Sequence, residues 1–139
     1  MQVQRWMTQP VVTVHEDCPG VLAFRKMHDH QIRRLPVVDE DGALVGIVAD
    51  RDLRGAALAE LNGNAGKNED ERLVRDYMTR EVVTVSPVDD VRDVALTMLS
   101  NRFTGLPVMD GGRLVGMITV TDLMEILVGA LERIDRAKA

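Results

Sequence analysis

The apolar positions in the second half of the chain change their spacing several times, and each change predicts an element. A short β-branched run at residues 82–85 predicts a strand. Ser86, Pro87 and Asp89 then form the combination of residues that favours a helix start. Apolar residues at helical spacing follow, at Val91, Val94, Ala95, Met98 and Leu99.

Two more apolar runs and a final amphipathic stretch complete this pattern. Residues 106–109 and 114–119 predict strands that are joined by a tight turn at 110–112. A closing helix is predicted from about Thr121, with Leu123, Leu127, Leu131 and Ile134 on one face. The predicted order of elements is therefore β-α-β-β-α.

The first half of the chain repeats this pattern. The letters WMTQPVVTV at residues 6–14 return as YMTREVVTV at 77–85, an offset of 71 that also relates LPVVD at 35–39 to LPVMD at 106–110. LVGIVADRDL at 44–53 returns as LVGMITVTDL at 114–123 with an offset of 70. The missing residue falls in a predicted turn, where changes in length are tolerated, so the pattern indicates duplication.

Duplication predicts a mixed α/β (α+β) fold made of two pseudo-symmetric β-α-β-β-α repeats. We predict repeat 1 over residues 1–61, a flexible polar linker over 62–72, and repeat 2 with the C-terminal helix over 73–139. One three-stranded unit with helices on one face leaves apolar surface uncovered. We therefore expect the repeats to pack sheet to sheet, with equivalent clefts at their junction.

Charge and cysteine content narrow the classes of partner. The 139 residues include 17 basic and 22 acidic ones, and the net charge of −5 argues against nucleic acid and anionic membranes as partners. The longest apolar run, residues 44–49, is far shorter than the ~20 residues that span a bilayer. The single cysteine, Cys18, and the lack of a signal-peptide pattern predict a cytoplasmic protein.

The repeated motifs resemble a tandem pair of CBS domains (cystathionine β-synthase domains), also called a Bateman module. They are Met-Thr before the first strand, Leu-Pro-Val in the middle, and an ending of the form Gly-x-x-Thr-x-x-Asp, in this order over about residues 4–125. The resemblance implies clefts that bind an adenosine-containing ligand such as AMP, ADP, ATP or S-adenosylmethionine. It also implies regulation of an attached or partner protein, and no cofactor apart from that ligand.

In the second repeat, Thr119 and Asp122 place a hydroxyl and a carboxylate at a corner between a strand and a helix. A carboxylate accepts two hydrogen bonds, which suits the adjacent hydroxyls of a ribose, and the free N–H groups of a helix N-terminus suit a phosphate. The alternative is that Asp122 only caps its helix.

The first repeat keeps the aspartate, as Asp52, but has Ala49 where the hydroxyl is expected. It carries more positive charge instead, with Arg33, Arg34 and Arg51 as candidate phosphate ligands. The alternative is a solvated face on which these arginines and Arg54 pair with Asp50, Asp52 and Glu60.

The resemblance also places an adenine slot between the first strand and the middle of each repeat. For the second repeat the predicted residues are Thr79, Val82, Val83, Phe103 and Pro107. For the first repeat they are Thr8, Val11, Val12, Ile32 and Pro36.

Metal binding and catalysis receive less support from the residues. His15, Cys18, His28 and His30 are residue types that bind zinc, but His28 and His30 lie two positions apart on a predicted helix and point in different directions. No nucleophile with a matching base occurs in both repeats, and no Walker-type phosphate loop occurs. We therefore predict no metal site and no enzyme activity in the chain itself.

Two functions from different classes are compatible with these motifs. The first is a stand-alone ligand-sensing module that signals to an unknown partner protein. The second is a constitutive dimerisation or interaction scaffold that has lost ligand binding, which Ala49 favours.

The closing helix predicts a homodimer, because its apolar residues wrap too far around it for packing on one side only. These residues are Leu123, Met124, Ile126, Leu127, Val128, Leu131 and Ile134. The helix that ends the first repeat is expected to join the interface through Leu53, Ala56, Ala57 and Leu61.

Overall fold

The computed structural model describes residues 1–61 and 72–139, and the side chains of all these residues except 56–61. The strands are β1 (Val14–His15), β2 (Arg34–Val38), β3 (Leu44–Ala49), β4 (Gly105–Asp110) and β5 (Arg113–Thr119). The helices are α1 (Gly20–Asp29), α2 (Asp50–Leu61), α3 (Val74–Tyr77), α4 (Val91–Asn101) and α5 (Val120–Lys138), and a short 3-10 helix covers Val3–Arg5. The mixed α/β composition predicted from the sequence is confirmed.

The start of the second repeat differs from the prediction. Residues 82–85 form no strand, and only Val85 makes a parallel bridge, to Val108 of β4. The Asp89 carboxylate accepts a hydrogen bond of 2.8 Å from the Ser86 N–H, so residues 86–89 form a turn and not the first turn of a helix. Helix α4 begins only after Asp90, whose side chain accepts from the N–H of Arg92 at 3.0 Å.

The buried face of α4 is narrower than the apolar spacing predicts. Val91, Val94 and Met98 are buried, whereas Leu99 is 77% exposed. The expectation that Leu99 contributes to the buried face was therefore wrong, because the packed stripe lies to one side of it.

Residues Val12–Val82 form one compact unit, here the first-copy unit. Its sheet has the order β1-β2-β3, with β1 parallel to β2 and β2 antiparallel to β3. Helix α1 packs against α2. The fully packed core consists of Val14, Ala23, Met27, Leu35, Val37, Val48, Leu53 and Val74.

Met1–Val11 and Val83–Ala139 form the other compact unit, here the second-copy unit. Strands β4 and β5 pair antiparallel, and the parallel bridge at Val85 lies on the outer side of β4. The core consists of Val3, Val91, Val94, Met98, Leu106, Val108 and Ile118. Val3 shows that the N-terminal segment is an integral part of this core.

The two repeats therefore exchange their Met-Thr segments. Thr8 pairs with Met117 of β5 through backbone hydrogen bonds of 2.7 and 3.2 Å, and Thr79 pairs with Ile47 of β3 through bonds of 2.8 and 3.0 Å. Each sheet ends on a segment that belongs to the other repeat in sequence. The compact units consequently differ from the repeats at their N-terminal segments, and the repeat boundaries at 61 and 73 stay a prediction. The linker predicted over 62–72 lies, except for its last residue, outside the described residues.

A glycine in β3 and one in β5 make this pairing possible. A Cβ atom on Gly46 would lie 2.9 Å from the carbonyl oxygen of Thr79, and one on Gly116 would lie 3.0 Å from that of Thr8. A side chain at either position would force the neighbouring backbone to move. The glycines in the repeated motif are thus explained by the close approach of the Met-Thr segments.

Candidate functional site

The second corner is the junction of β5 and α5 in the second-copy unit. Thr119 ends the strand and caps the helix, and its hydroxyl accepts from the N–H of Asp122 at 3.3 Å. Oδ2 of Asp122 accepts in return from the Thr119 N–H at 2.8 Å and from its hydroxyl at 3.0 Å. This reciprocal capping holds the carboxylate in one orientation, and Asp122 is only 9% exposed.

The second carboxylate oxygen of Asp122 has a different environment. Oδ1 lies 3.4 Å from the hydroxyl of Thr8, a long hydrogen bond, and Thr8 itself is exposed. Capping therefore occupies Oδ2 and leaves Oδ1 with acceptor capacity beside an exposed hydroxyl. The two alternatives raised by the sequence, a cap and a ligand-binding carboxylate, are compatible because they use different oxygens.

The first corner is the junction of β3 and α2 in the first-copy unit. Oδ2 of Asp52 accepts from the N–H of Ala49 at 3.0 Å, which matches half of the capping at the second corner. Ala49 supplies no hydroxyl to hold this carboxylate. Asp52 is half-buried, so the aspartate of the first corner is more open than Asp122.

Arginine side chains distinguish the first corner from the second. Burial lowers the pKa of the Arg34 guanidinium, the positive charge of Arg51 lowers it further, and Asp52 and Asp50 act in the opposite direction. The positive charges of Arg34 and Arg51 thus oppose each other, and nearby negative charge favours both. The equivalent positions of the second repeat carry Gly105 and Thr121.

Two further arginines at this corner have other surroundings. Arg54 approaches Asp50 at 3.6 Å, one helical turn away, as the solvated-face alternative predicts. Arg33 is exposed, and its carbonyl oxygen accepts from the N–H of Asp50 at 2.9 Å. Positive charge at the first corner is therefore partly neutralised around Asp50.

The predicted adenine-slot residues fall into different groups from those expected. The second-copy unit contains Thr8, Val11, Val83, Phe103 and Pro107. The first-copy unit contains Val12, Ile32, Pro36, Thr79 and Val82. Thr8 and Val11, predicted for the first repeat, thus lie in the second-copy unit, and Thr79 and Val82, predicted for the second repeat, lie in the first-copy unit. Pro36 and Pro107 are fully buried core residues. Phe103 and Ile32 are half-buried against their cores.

The histidines and the cysteine considered as zinc ligands do not form a metal site in the described residues. His15 Nδ1 accepts from the N–H of Asp17 at 3.0 Å, and Asp17 also forms an ion pair with Arg75. Burial raises the pKa of the Cys18 thiol, with Lys26 opposing, which makes it a poorer nucleophile. Within residues 1–61 and 72–139, no three His, Cys, Asp or Glu side chains are grouped so as to hold a metal ion.

The residues predicted to form a dimer interface separate into two sets. Leu53 is fully buried in the first-copy core, so it is not available to a partner. Leu123 and Ile126 are partly buried against the second-copy core. The side chains of Ala56, Ala57 and Leu61 lie outside the described part. The exposed set on α5 consists of Met124, Leu127, Val128, Leu131 and Ile134.

Comparison with known proteins identifies the architecture. A protein-family description named CBS domain matches residues 3–59 and matches again at residues 74–129. The chain belongs to the CBS domain family. CBS domain pairs are generally regulatory modules, and this chain is 36% identical over 138 residues to a CBS domain-containing protein of Dictyostelium discoideum. The match covers 94% of this chain and 93% of that protein.

Solved CBS domain pairs with bound nucleosides are similar in structure. The pair of protein MJ0100, solved with 5′-methylthioadenosine and S-adenosylmethionine, is 30% identical and gives a TM-score of 0.79 over 94% of this chain and 98% of that one. CBSX2 in complex with AMP is 28% identical with a TM-score of 0.78, over 93% of this chain and 97% of that one.

Some relatives are longer than this chain, and the chain spans less than half the length of two relatives from Methanocaldococcus jannaschii. No helix in the described residues of this chain has the length and apolar character needed to cross a membrane.

Sequence reasoning missed one contact of the candidate site, that of Thr8 with Asp122. The signal was present in Gly46 and Gly116, since a glycine inside a strand often marks a close backbone approach. The chain has two Met-Thr motifs and two such glycines, so each motif can approach one glycine. The sequence alone does not say which motif approaches which glycine.

Proposed function

We propose that this CBS domain pair is a regulatory module that binds an adenosine-containing ligand and signals the ligand's presence to a partner protein. AMP, ADP, ATP and S-adenosylmethionine are the candidate ligands. In this proposal the chain acts in the cytoplasm and performs no catalysis of its own. The similarity to CBS pairs that bind AMP or S-adenosylmethionine supports the proposal.

The observation that carries the proposal is the carboxylate of Asp122. Its Oδ2 is held by Thr119, and its Oδ1 keeps acceptor capacity beside the hydroxyl of Thr8. A ribose offers two adjacent hydroxyl donors, and an ionised acceptor makes hydrogen bonds that are stronger than neutral ones. We assign ribose recognition to Thr119, Asp122 and Thr8.

Phosphate recognition belongs to the first corner in this proposal. The charge of Arg51 acts on Arg34, with Asp52 and Asp50 acting in the opposite direction, and Arg33 is a further positive charge next to Arg34 in sequence. A phosphate group would be attracted by all three. AMP should therefore bind more tightly than adenosine, and the difference should shrink in high salt, which screens exposed charges.

The proposed functional form is a homodimer of about 31 kDa, twice the chain mass of 15.4 kDa. The exposed apolar residues of α5 support this assembly. Leu127→Glu should shift the dimer towards monomer in light scattering, whereas Val88→Glu, at an exposed site away from α5, should not. A mass near 15 kDa for the unmodified protein at micromolar concentration would contradict the dimer.

The alternative function is a scaffold that dimerises without ligand. Ala49 favours it, because the loss of the hydroxyl weakens the hold on Asp52 at the first corner. The exposed set on α5 serves either function. A measurement of ligand binding therefore distinguishes the regulatory module from the scaffold.

A thermal-shift series with AMP, ADP, ATP and S-adenosylmethionine tests the proposal. A ligand at a hundred times its Kd stabilises the folded protein by about 2.7 kcal/mol, which raises the Tm of a chain of this size by roughly 10 °C. Asp122→Asn keeps an oxygen for the cap and replaces the other oxygen by a donor. It should weaken binding about 10- to 100-fold.

Asp52→Asn is the matched control at the first corner, and it should weaken binding less than Asp122→Asn. No shift with any of the four ligands would leave only the scaffold function. Equal losses from both variants would contradict the assignment of the ribose to the second corner.

A further inference from the structure

The methionines that precede Thr8 and Thr79 lie directly over the strand glycines. A Cβ atom on Gly116 would lie 2.9 Å from Sδ of Met7, and one on Gly46 would lie 2.6 Å from Sδ of Met78. Each thioether sulfur thus occupies the space that a side chain of the strand would otherwise fill. An additional atom on that side of the sulfur would collide with the strand.

Exposure distinguishes Met7 and Met78 from most of the eight methionines of the chain. Three of the others are buried and two are 53% exposed, namely Met27, Met98 and Met117, and Met1 and Met124. Met7 and Met78 are half-buried, and each is packed on a glycine. They therefore combine a tight contact at the sulfur with a side chain that is partly open to solvent.

A peroxide is the class of reagent that modifies such a thioether. A sulfur lone pair attacks one peroxide oxygen, and the S–O bond forms as the O–O bond breaks. With hydrogen peroxide, the second oxygen takes up the proton of the first and leaves as water, so the sulfur is oxidised by two electrons and the peroxide is reduced. The product, methionine sulfoxide, is polar, and methionine sulfoxide reductases convert it back to methionine.

Oxidation of Met7 would disturb the candidate ribose site. A sulfoxide oxygen requires water or another hydrogen-bond donor, and its burial against a strand without one is costly. The side chain therefore has to turn towards solvent, which removes the contact with Gly116. Thr8 follows directly in the chain, and its hydroxyl lies 3.4 Å from Oδ1 of Asp122. Loss of the Met7 contact thus releases the segment that carries Thr8.

Met78 has the same relation to the first-copy unit. Thr79 follows it and pairs with Ile47, which lies two residues before Ala49 at the first corner. Oxidation of Met78 would therefore loosen the edge of β3 next to the first corner.

We propose that Met7 and Met78 are oxidation sites through which a peroxide releases the Met-Thr segments and weakens ligand binding. The loss of ligand binding rests on the proposed function. The release of the segments does not, because it concerns backbone pairing within each unit.

Peptide mapping and hydrogen exchange after treatment with hydrogen peroxide test the release, in a Cys18→Ser background that removes the single thiol. Mass spectrometry should find sulfoxide at Met7 and Met78. The backbone N–H groups of Thr8 and Thr79, which donate to the paired strands at 2.7 and 2.8 Å, should then lose their protection from exchange. Methionine sulfoxide reductases should restore that protection.

Met7→Leu and Met78→Leu are matched variants, because leucine has a similar volume and no thioether. After the peroxide treatment, Met7→Leu should keep the protection of Thr8 and lose that of Thr79. Met78→Leu should show the reverse.

Calorimetry with AMP before and after the treatment tests the effect on the site. Peroxide should weaken AMP binding at least about tenfold in the Cys18→Ser protein, since a contact of the Asp122 carboxylate is disturbed. It should leave the AMP affinity of Met7→Leu nearly unchanged. Met124→Leu is the control, because Met124 lies on the exposed face of α5, and it should lose AMP affinity as the Cys18→Ser protein does.

Three results would overturn the proposal. The first is sulfoxide at Met7 and Met78 with unchanged exchange at Thr8 and Thr79. The second is the absence of sulfoxide at both methionines while Met124 is converted. The third is an equal loss of AMP affinity in Met7→Leu and in the Cys18→Ser protein. If the untreated protein binds no AMP, the proposed function fails for this ligand, and the exchange measurement still decides whether oxidation releases the segments.

Discussion

The two strand-to-helix corners of this chain have the same backbone plan and different side chains. At the second corner Thr119 and Asp122 cap each other, with Thr8 beside the free oxygen. At the first corner the Asp52 carboxylate accepts from the N–H of Ala49, a residue without a hydroxyl, and the charges of Arg34 and Arg51 act on each other there. The duplicated unit has thus kept its aspartate twice and has changed the groups around it.

The features that pack the sheets have not diverged in this way. Gly46 and Gly116 both admit a Met-Thr segment from the other repeat, with nearly equal distances from a hypothetical Cβ to a carbonyl oxygen. The comparison indicates that Gly46 and Gly116 are subject to the same steric constraint, the close approach of a Met-Thr segment. The corner positions are where the two copies specialise.

The largest expected effects concern these glycines. Gly46→Ala and Gly116→Ala each place a Cβ within about 3 Å of a backbone carbonyl oxygen that is fixed by strand pairing. Each should lower the free energy of unfolding by about 1–3 kcal/mol, as overpacking does. Urea denaturation measures both variants, and similar losses are expected because the two contacts are equivalent.

Gly55→Ala is the matched control for these variants. A Cβ at Gly55 in α2 meets nothing within 4 Å, so alanine should stabilise the helix by about 0.5–1 kcal/mol. A loss at Gly46→Ala without one at Gly116→Ala would show that the two contacts are not equivalent.

A smaller effect is expected from exchanging the cap residues. Thr119→Ala removes the hydroxyl that accepts from Asp122 N–H and should cost about 1 kcal/mol. Thr119→Ser keeps the hydroxyl and is the control. Ala49→Ser adds the missing hydroxyl at the first corner and should raise the Tm, by a few degrees at most.

One result would directly contradict the prediction for Thr119→Ala. If Thr119→Ala leaves the free energy of unfolding unchanged in urea denaturation, the reciprocal capping does not fix the Asp122 carboxylate. The preference for the second corner as the ribose site then loses its physical basis.

Much of the fold could be predicted from the sequence, because duplication repeated every apolar pattern. The strands at 106–109 and 114–119 were predicted to within a few residues. The helix start at Ser86 was wrong because a local turn, closed by the Asp89 side chain, competed successfully with the helix. The short run at 82–85 was too weakly paired to form more than one bridge.

The candidate site was less accessible to sequence reasoning. The aspartates could be placed at strand-to-helix corners because they lie within local motifs. Thr8 and Thr79 could not be assigned to the correct sheet, because that choice depends on contacts with residues that are 109 positions away for Thr8 and 32 positions away for Thr79. Local pattern does not contain this information.

Calorimetry with two ligands and two variants tests the central claim, that the second corner recognises ribose and the first recognises phosphate. We predict that Asp122→Asn weakens the binding of adenosine and the binding of AMP by the same factor, about 10- to 100-fold. Arg51→Gln should weaken the binding of AMP about tenfold and leave the binding of adenosine unchanged. Arg54→Gln, which changes the arginine that approaches Asp50, is its control. Unchanged adenosine binding in Asp122→Asn, or equal losses for both ligands in Arg51→Gln, would contradict the account.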